Sequence, residues 1–220
     1  MDDNKATRRD FLKFSGTLTV AAVVSIPAGT WAEGKTYPAS KGYILVDRAK
    51  CQGCQTCMLA CSLAHHGREN VSLSRIQILQ DPYGKWPDDI KIEMCRQCVD
   101  PGCVKSCPKG AVEVDHEHGN VRTVNEDACK GLRRCIRGCN FQPSRVIWNF
   151  EERHAQKCDL CLDTPYWDEE GGPGGKQACI EMCPMKAITF VIEVPEQKAD
   201  EGYYVNLRGR AWKKMGFPTD

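Results

Sequence analysis

Apolar and polar positions along this chain fall into short patches, with few long periodic runs. The stretch KGYILVD over 41–47 reads as a short strand leading into a loop. AVEVDHEHGNVRTV over 111–124 alternates on both sides of Gly119–Asn120, which is a hairpin signal. SRVIWNF (144–150) and AITFVIEV (187–194) read as further strands. EDACKGLRRCIRGC (126–139) opens on acidic residues, as a helix or tight loop would. Near the start, Leu18 to Ala28 is mildly apolar but broken by Ser25 and Pro27. That run is shorter than the roughly 20 apolar residues a spanning helix needs, and no later run is long enough either. The pattern therefore predicts an α+β chain of short strands, short helices and loops, with a small core for its length.

Composition explains what fills that core. The chain has 220 residues, a net charge of +1 and 15 cysteines. Near-neutral charge gives no strong pull toward nucleic acid, and none is expected as a partner. So many cysteines imply either disulfide staples or metal, and an odd count does not suit a closed disulfide set.

The spacings decide between those options. The cysteines form four groups: Cys51, Cys54, Cys57, Cys61; Cys95, Cys98, Cys103, Cys107; Cys129, Cys135, Cys139; and Cys158, Cys161, Cys179, Cys183. Each group ends on a step of 4, and all but the third open on a step of 3. No cysteine lies outside a group, and the third lacks one member, with Leu132 at its position. C-x2-C-x2-C-x3-C is an iron–sulfur spacing in which three thiolates cap one cluster and the fourth reaches a second. Pro108 and Pro184 follow the last cysteine of two groups, whereas Ser62 and Asn140 follow the other two. An isolated C-x2-C pair is also common in zinc sites, and a zinc-stapled structural module is the competing reading. Four groups with one shared final step favour iron–sulfur.

On all four groups, across roughly residues 42–192, the chain resembles the four-cluster ferredoxin-like beta subunits of the dimethyl sulfoxide reductase and nitrate reductase type. The resemblance implies two nested ferredoxin-like double-cluster units in residues 33–192. The outer unit would be about 42–80 with 150–192, and the inner about 90–149. It also implies the ligand sets. The first cluster takes Cys51, Cys54, Cys57 and Cys183, and the second Cys158, Cys161, Cys179 and Cys61. The third takes Cys95, Cys98, Cys103 and Cys139, and the fourth Cys129, Cys135 and Cys107, with Leu132 at the missing corner. Spacing alone leaves pairing between adjacent groups open. The fourth cluster has three readings: 3Fe–4S, which is the leading one since the nitrate reductase beta subunit carries tryptophan there and holds such a cluster; 4Fe–4S with another ligand; or no cluster. The cofactors implied are three 4Fe–4S clusters and this three-cysteine one. Lys130, Arg133, Arg134 and Arg137 crowd its loop, as a solvated face or a docking patch. Fewer thiolates and more positive charge both raise a cluster's potential.

The first residues carry a second resemblance. Thr7, Arg8, Arg9, Asp10, Phe11, Leu12 and Lys13, followed by the mild apolar run and small residues to Ala32, resemble a twin-arginine export signal in segment 1–32. That route carries folded proteins, so thiolates would leave the cytoplasm already bound to metal and not form the disulfides usual after export. The expectation is a periplasmic, non-catalytic electron-transfer subunit that does not itself span the membrane. Its implied partners are a molybdopterin-type catalytic subunit of molybdenum or tungsten type and a membrane quinone-reactive subunit. A free periplasmic polyferredoxin shuttle is the alternative. His65, His66, His116 and His118 are expected as exposed loop histidines, GGPGGK (171–176) as a flexible surface excursion, and 193–220 as a basic tail that wraps onto a partner or frays.

Overall fold

The computed structural model describes residues 36–198 and 200–219; the predicted signal segment 1–32 lies outside them. Eight short strands occur in chain order: β1 Tyr43–Val46, β2 Ile76–Gln80, β3 Ile90–Met94, β4 Val112–Asp115, β5 Val121–Val124, β6 Ile147–Asn149, β7 His154–Gln156 and β8 Ile188–Val191. They form four two-stranded antiparallel sheets: β1 with β8, β2 with β3, β4 with β5, and β6 with β7. Tyr43 lies opposite Val191 and Val46 opposite Ile188, so the first sheet joins segments far apart in sequence. The Gly119–Asn120 turn closes the β4–β5 hairpin, with both residues at positive φ. Strands β2 and β3 follow readable alternation, IQILQ and IKIEM, whereas β7 (HAQ) carries no strand pattern.

The cysteine groups alternate with these sheets. The first group follows β1; the β2–β3, β4–β5 and β6–β7 pairs separate successive groups; β8 follows the last and returns to β1. The chain thus makes a closed circuit of four loops and four sheets. Each loop carries a helix: α1 Thr56–His66, α2 Gly102–Lys105, α3 Arg134–Arg137 and α4 Ala178–Glu181. The third cysteine of a full group, or Cys135 in the third, lies in the helix's first turn, and the last cysteine about one turn further on. Helix α1 packs on α4 and α2 on α3.

Two-stranded sheets are marginal alone and need a face to bury. Here that face is partly sulfur. Ile44, Val46, Met58, Ile76, Ile92, Leu160 and Ile188 pack with Cys57, Cys61, Cys179 and Cys183. The inner core is smaller: Val112, Val146 and Ala155 with Cys103 and Cys135. A core this thin leaves much of the folding free energy to whatever the thiols bind.

Two segments differ from expectation. GGPGGK is fastened by Gly172 N–H to Leu160 O (2.7 Å), Lys176 N–H to Glu170 O (2.8 Å) and Gln177 Nε2 to Gly172 O (2.9 Å). The tail packs on its own chain: Val46 bridges Tyr204, the Leu207 N–H donates to Asp47 (2.8 Å), and fully buried Tyr203 donates to Arg96 O (2.8 Å). Helix α5, Arg210–Lys214, buries Trp212 against Phe217.

Gly171 is required by close approach, since a Cβ there would lie 1.8 Å from the Cys161 carbonyl oxygen. Gly171→Ala is expected to destabilise the chain by about 1–3 kcal/mol or more, the overpacking range. Gly174→Ala, with nothing within 4 Å, is expected to be neutral. Denaturant midpoints for the two variants check this.

Candidate iron–sulfur cluster sites

Each cysteine loop turns in the same way. The second residue after the leading cysteine is left-handed in all four: Gly53 (φ 66°), Gln97 (48°), Gly131 (71°) and Leu160 (60°). Glycine takes this conformation freely, but Gln97 and Leu160 do not; both are fully buried, so packing holds them there. The turn aims backbone donors at sulfur: Gly53 N–H to Cys51 Sγ (3.5 Å) and Gln97 N–H to Cys95 Sγ (3.4 Å). The last cysteines also accept backbone donors, Cys61 from Arg75, Cys139 from Arg145 and Cys183 from Ala187, each at 3.3 Å. Such donors stabilise sulfur that carries negative charge.

The third loop keeps this geometry without its cysteine. Gly131 and Arg133 (φ 54°) repeat the left-handed pair Gly53 and Gln55 (φ 60°), which places Leu132 where Cys54 sits in the first loop. Leu132 is 49 % exposed. It lines a cavity with Cys107, Cys129 and Cys135, ringed by Lys109, Lys130, Arg133 and Arg134. The Arg133 guanidinium stacks 4.1 Å over Trp148, which turns one of these charges onto an aromatic face.

The electrostatic influences on each thiol name its neighbours, and some of them cross between groups, as Cys95 on Cys158 and Cys57 on Cys179. Burial, then Cys51, Cys183 and Cys54, pushes the Cys57 thiol up to about 12. Burial, then Cys95, Cys103 and Cys139, does the same for Cys98. Cys179 is raised by burial and by Cys161, Cys158 and Cys61, and Cys135 by burial and by Cys107, with Cys129 contributing. A second cavity is lined by Cys95, Cys98, Cys103 and Cys139 together with Arg122, Arg145 and Lys157. All fifteen cysteines are free thiols. Buried thiols this close cannot all ionise unless a cation sits among them. Thiol-only donor sets suit soft metal centres, and three or four thiolates per set with backbone donors to sulfur fit an iron–sulfur cluster. The residues present therefore fit the group that the spacing implies.

The surroundings contain residues that spacing did not reveal. Asp159, between Cys158 and Cys161, accepts from the Cys161 N–H (3.0 Å) and pairs with buried Arg75 at 2.6 Å. Burial opposes its charge, but Arg75 and His65 hold its carboxyl below the usual range. His65 is not an exposed loop residue: it is buried, its Nδ1 lies 2.6 Å from Asp163 O, and its Nε2 lies 3.6 Å from Asp159. His118 is exposed, as expected, and bonds Asp115 at 2.7 Å. The only sequence signal for the buried group was the polar Lys157-Cys158-Asp159 run itself.

Burial and the nearby Arg75 lower the His65 pKa to about 4. An unfolded imidazole titrates near 6.5, so between these values the unfolded chain takes up a proton that the folded chain refuses. The His65 contribution is thus fully present above about pH 6.5 and is lost as pH falls toward 4, on the order of 3 kcal/mol in all. His65→Gln is expected to flatten the fall in stability between pH 6.5 and 5, measured by denaturant midpoints for both proteins.

Residues 89–193 match a family described as the 4Fe-4S dicluster domain. The chain is 36 % identical over 190 residues to the NrfC homolog of Haemophilus influenzae, covering 84 % of this chain and 79 % of that protein. It is 34 % identical over 154 residues to the B subunit of the anaerobic dimethyl sulfoxide reductase of Escherichia coli, covering 66 % and 70 %. The nitrate-inducible formate dehydrogenase iron–sulfur subunit of Escherichia coli is 29 % identical over 195 residues, covering 78 % and 61 %. With four thiol sets on a ferredoxin-like α+β scaffold, the chain belongs to the 4Fe–4S dicluster family of iron–sulfur electron-transfer subunits that serve oxidoreductase complexes.

Proposed function

We propose that this chain is exported and relays single electrons between a molybdenum- or tungsten-type catalytic subunit and a membrane quinone-reactive partner. The observation that carries this reading is the burial order of the four thiol sets. Cys54 of the first set is exposed and Leu132 opens the fourth to solvent, while Cys161 and Cys179 of the second and Cys95 and Cys103 of the third are buried. Two accessible ends and an enclosed middle suit a relay with an entry and an exit.

The proximities above support the four ligand sets: Cys51, Cys54, Cys57 and Cys183; Cys158, Cys161, Cys179 and Cys61; Cys95, Cys98, Cys103 and Cys139; Cys129, Cys135 and Cys107. Bound there, 4Fe–4S and 3Fe–4S clusters supply one-electron chemistry. The chain's own part is to exclude water from the middle sets, to direct backbone N–H groups at sulfur, and to set the local charge. Leu132 offers iron no donor atom, so we assign the fourth set a 3Fe–4S cluster. Catalysis is assigned to a partner subunit, because two of the relatives named above are themselves single subunits of a reductase and a dehydrogenase. Among the described residues no helix is long and apolar enough to cross a membrane, so the link to the quinone pool is assigned to another partner.

Anaerobically purified protein is expected to hold about fifteen iron and sixteen sulfide per chain. Oxidised, it should show a 3Fe–4S electron paramagnetic resonance signal; Leu132→Cys should abolish that signal and add one iron. Zinc without acid-labile sulfide would overturn the reading. Arg8→Lys with Arg9→Lys is expected to leave the protein in the cytoplasm, assayed by fractionation; export at the normal level would overturn the twin-arginine assignment.

A further inference from the structure

Among the described residues, five lysine or arginine side chains are buried: Arg75, Arg96, Arg122, Arg145 and Lys157. Three have carboxylate partners. Arg75 pairs with Asp159 (2.6 Å), Arg96 with Asp200 (2.8 Å), and Arg145 with Glu93 and Asp200. Lys157 and Arg122 have none among the described residues. Both line the cavity of Cys95, Cys98, Cys103 and Cys139.

Lys157 is 2 % exposed, and its Nζ donates to the carbonyl oxygens of Arg122 and Cys158. Carbonyls orient an ammonium but do not neutralise it, and a buried charge needs an opposite charge nearby. Burial works against the Lys157 charge, and the groups it faces in that cavity include the Cys95 and Cys103 sulfurs. The matching anion is therefore the thiolate set. The same group links two sets. The Cys158 carbonyl accepts from Lys157 Nζ and also from Gln97 Nε2 (2.9 Å). Gln97 in turn donates its N–H to Cys95 Sγ (3.4 Å), and its Oε1 accepts from the Arg122 N–H (2.8 Å).

We propose that Lys157 is a positioning residue whose buried charge, matched only by cluster thiolates, raises the reduction potential of the cluster held by Cys95, Cys98, Cys103 and Cys139 above that of the cluster held beside Cys158. This rests on the cluster assignment above. One-electron reduction makes a cluster more negative, and a fixed positive charge at its sulfurs in a low-dielectric interior stabilises that form. The neighbouring set has a different balance: its buried Arg75 is already paired with Asp159. The junction between the second and third sets thus carries a built-in potential step, with the third as the electron-attracting side.

The test is a redox titration, followed by electron paramagnetic resonance, of the full-length cluster-loaded chain and its Lys157→Met, Lys157→Gln and Lys157→Arg variants. At a fixed potential, Met and Gln are expected to lower the reduced-to-oxidised ratio of one 4Fe–4S component at least tenfold, about 59 mV for a one-electron couple. Arg should keep that ratio within threefold of wild type, and the 3Fe–4S signal should not move. Cys98→Ser in the wild-type background identifies the component that belongs to the third set. The inference is overturned if Met and Gln bind full iron with no component shifted, if every component shifts equally, or if Arg shifts as Met does. Iron loss in Met and Gln but not in Arg upholds the charge match; iron loss in all three overturns it. Wild-type protein without iron would instead refute the cluster assignment itself.

Discussion

The constraint on which this structure depends is that sulfur atoms are buried close together. A thiol brought into a low-dielectric interior resists ionisation, and three more beside it raise that resistance further. Burial pushes the Cys57, Cys98, Cys103 and Cys161 thiols each up to about 12, so without a metal they stay protonated near neutral pH. The chain does not relieve the repulsion with disulfides, and its apolar core is too thin to make the sites incidental. A metal held by these thiolates would contribute its binding free energy to folding. The left-handed turns at Gly53 and Gln97 serve it by facing N–H groups toward sulfur.

Charge is arranged by a related rule. Most buried cations are paired on the spot: Arg75 with Asp159, and Arg96 and Arg145 with Asp200. These pairs hold the segments around the loops, as Asp159 shows by bonding the Cys161 N–H. Lys157 and Arg122 break the pattern where the second and third thiol sets adjoin, and the basic ring around Leu132 breaks it at the open fourth set. Unpaired positive charge therefore collects around the third and fourth sets. The first set instead has Asp89 nearby, among the influences that raise Cys51 after burial itself.

Several features were legible in the residues themselves. Leu132 stood out because the repeat was regular enough to expose one missing member, and the preserved Gly131 and Arg133 turn shows why the loop survives the loss. The β4–β5 pattern was readable because its residues alternate, and β1 and β8 because they are short apolar runs, YILV and ITFV. Strand β7 was not readable: His154, Ala155 and Gln156 are all buried, so no alternation marks them. Nor were the left-handed Gln97 and Leu160, since neither is glycine and only packing holds them. The Arg75–Asp159 pair joins residues 84 apart, and the buried His65 meets Asp159 and, 98 residues away, Asp163.

By itself the sequence determined the donor chemistry and the number of loops, because thiol type and spacing are local properties written a few residues apart. It also determined the one loop short of a ligand. Which loop meets which was decided only by tertiary structure. A circuit of four loops and four two-stranded sheets leaves open which neighbouring loops share thiols. The packing of α1 on α4 and of α2 on α3 brings Cys183 to Cys57 and Cys139 to Cys98. That packing also places Lys157 and Arg122 at the sulfurs rather than in water, a position no local pattern encodes, because its free energy comes from charges supplied by other segments.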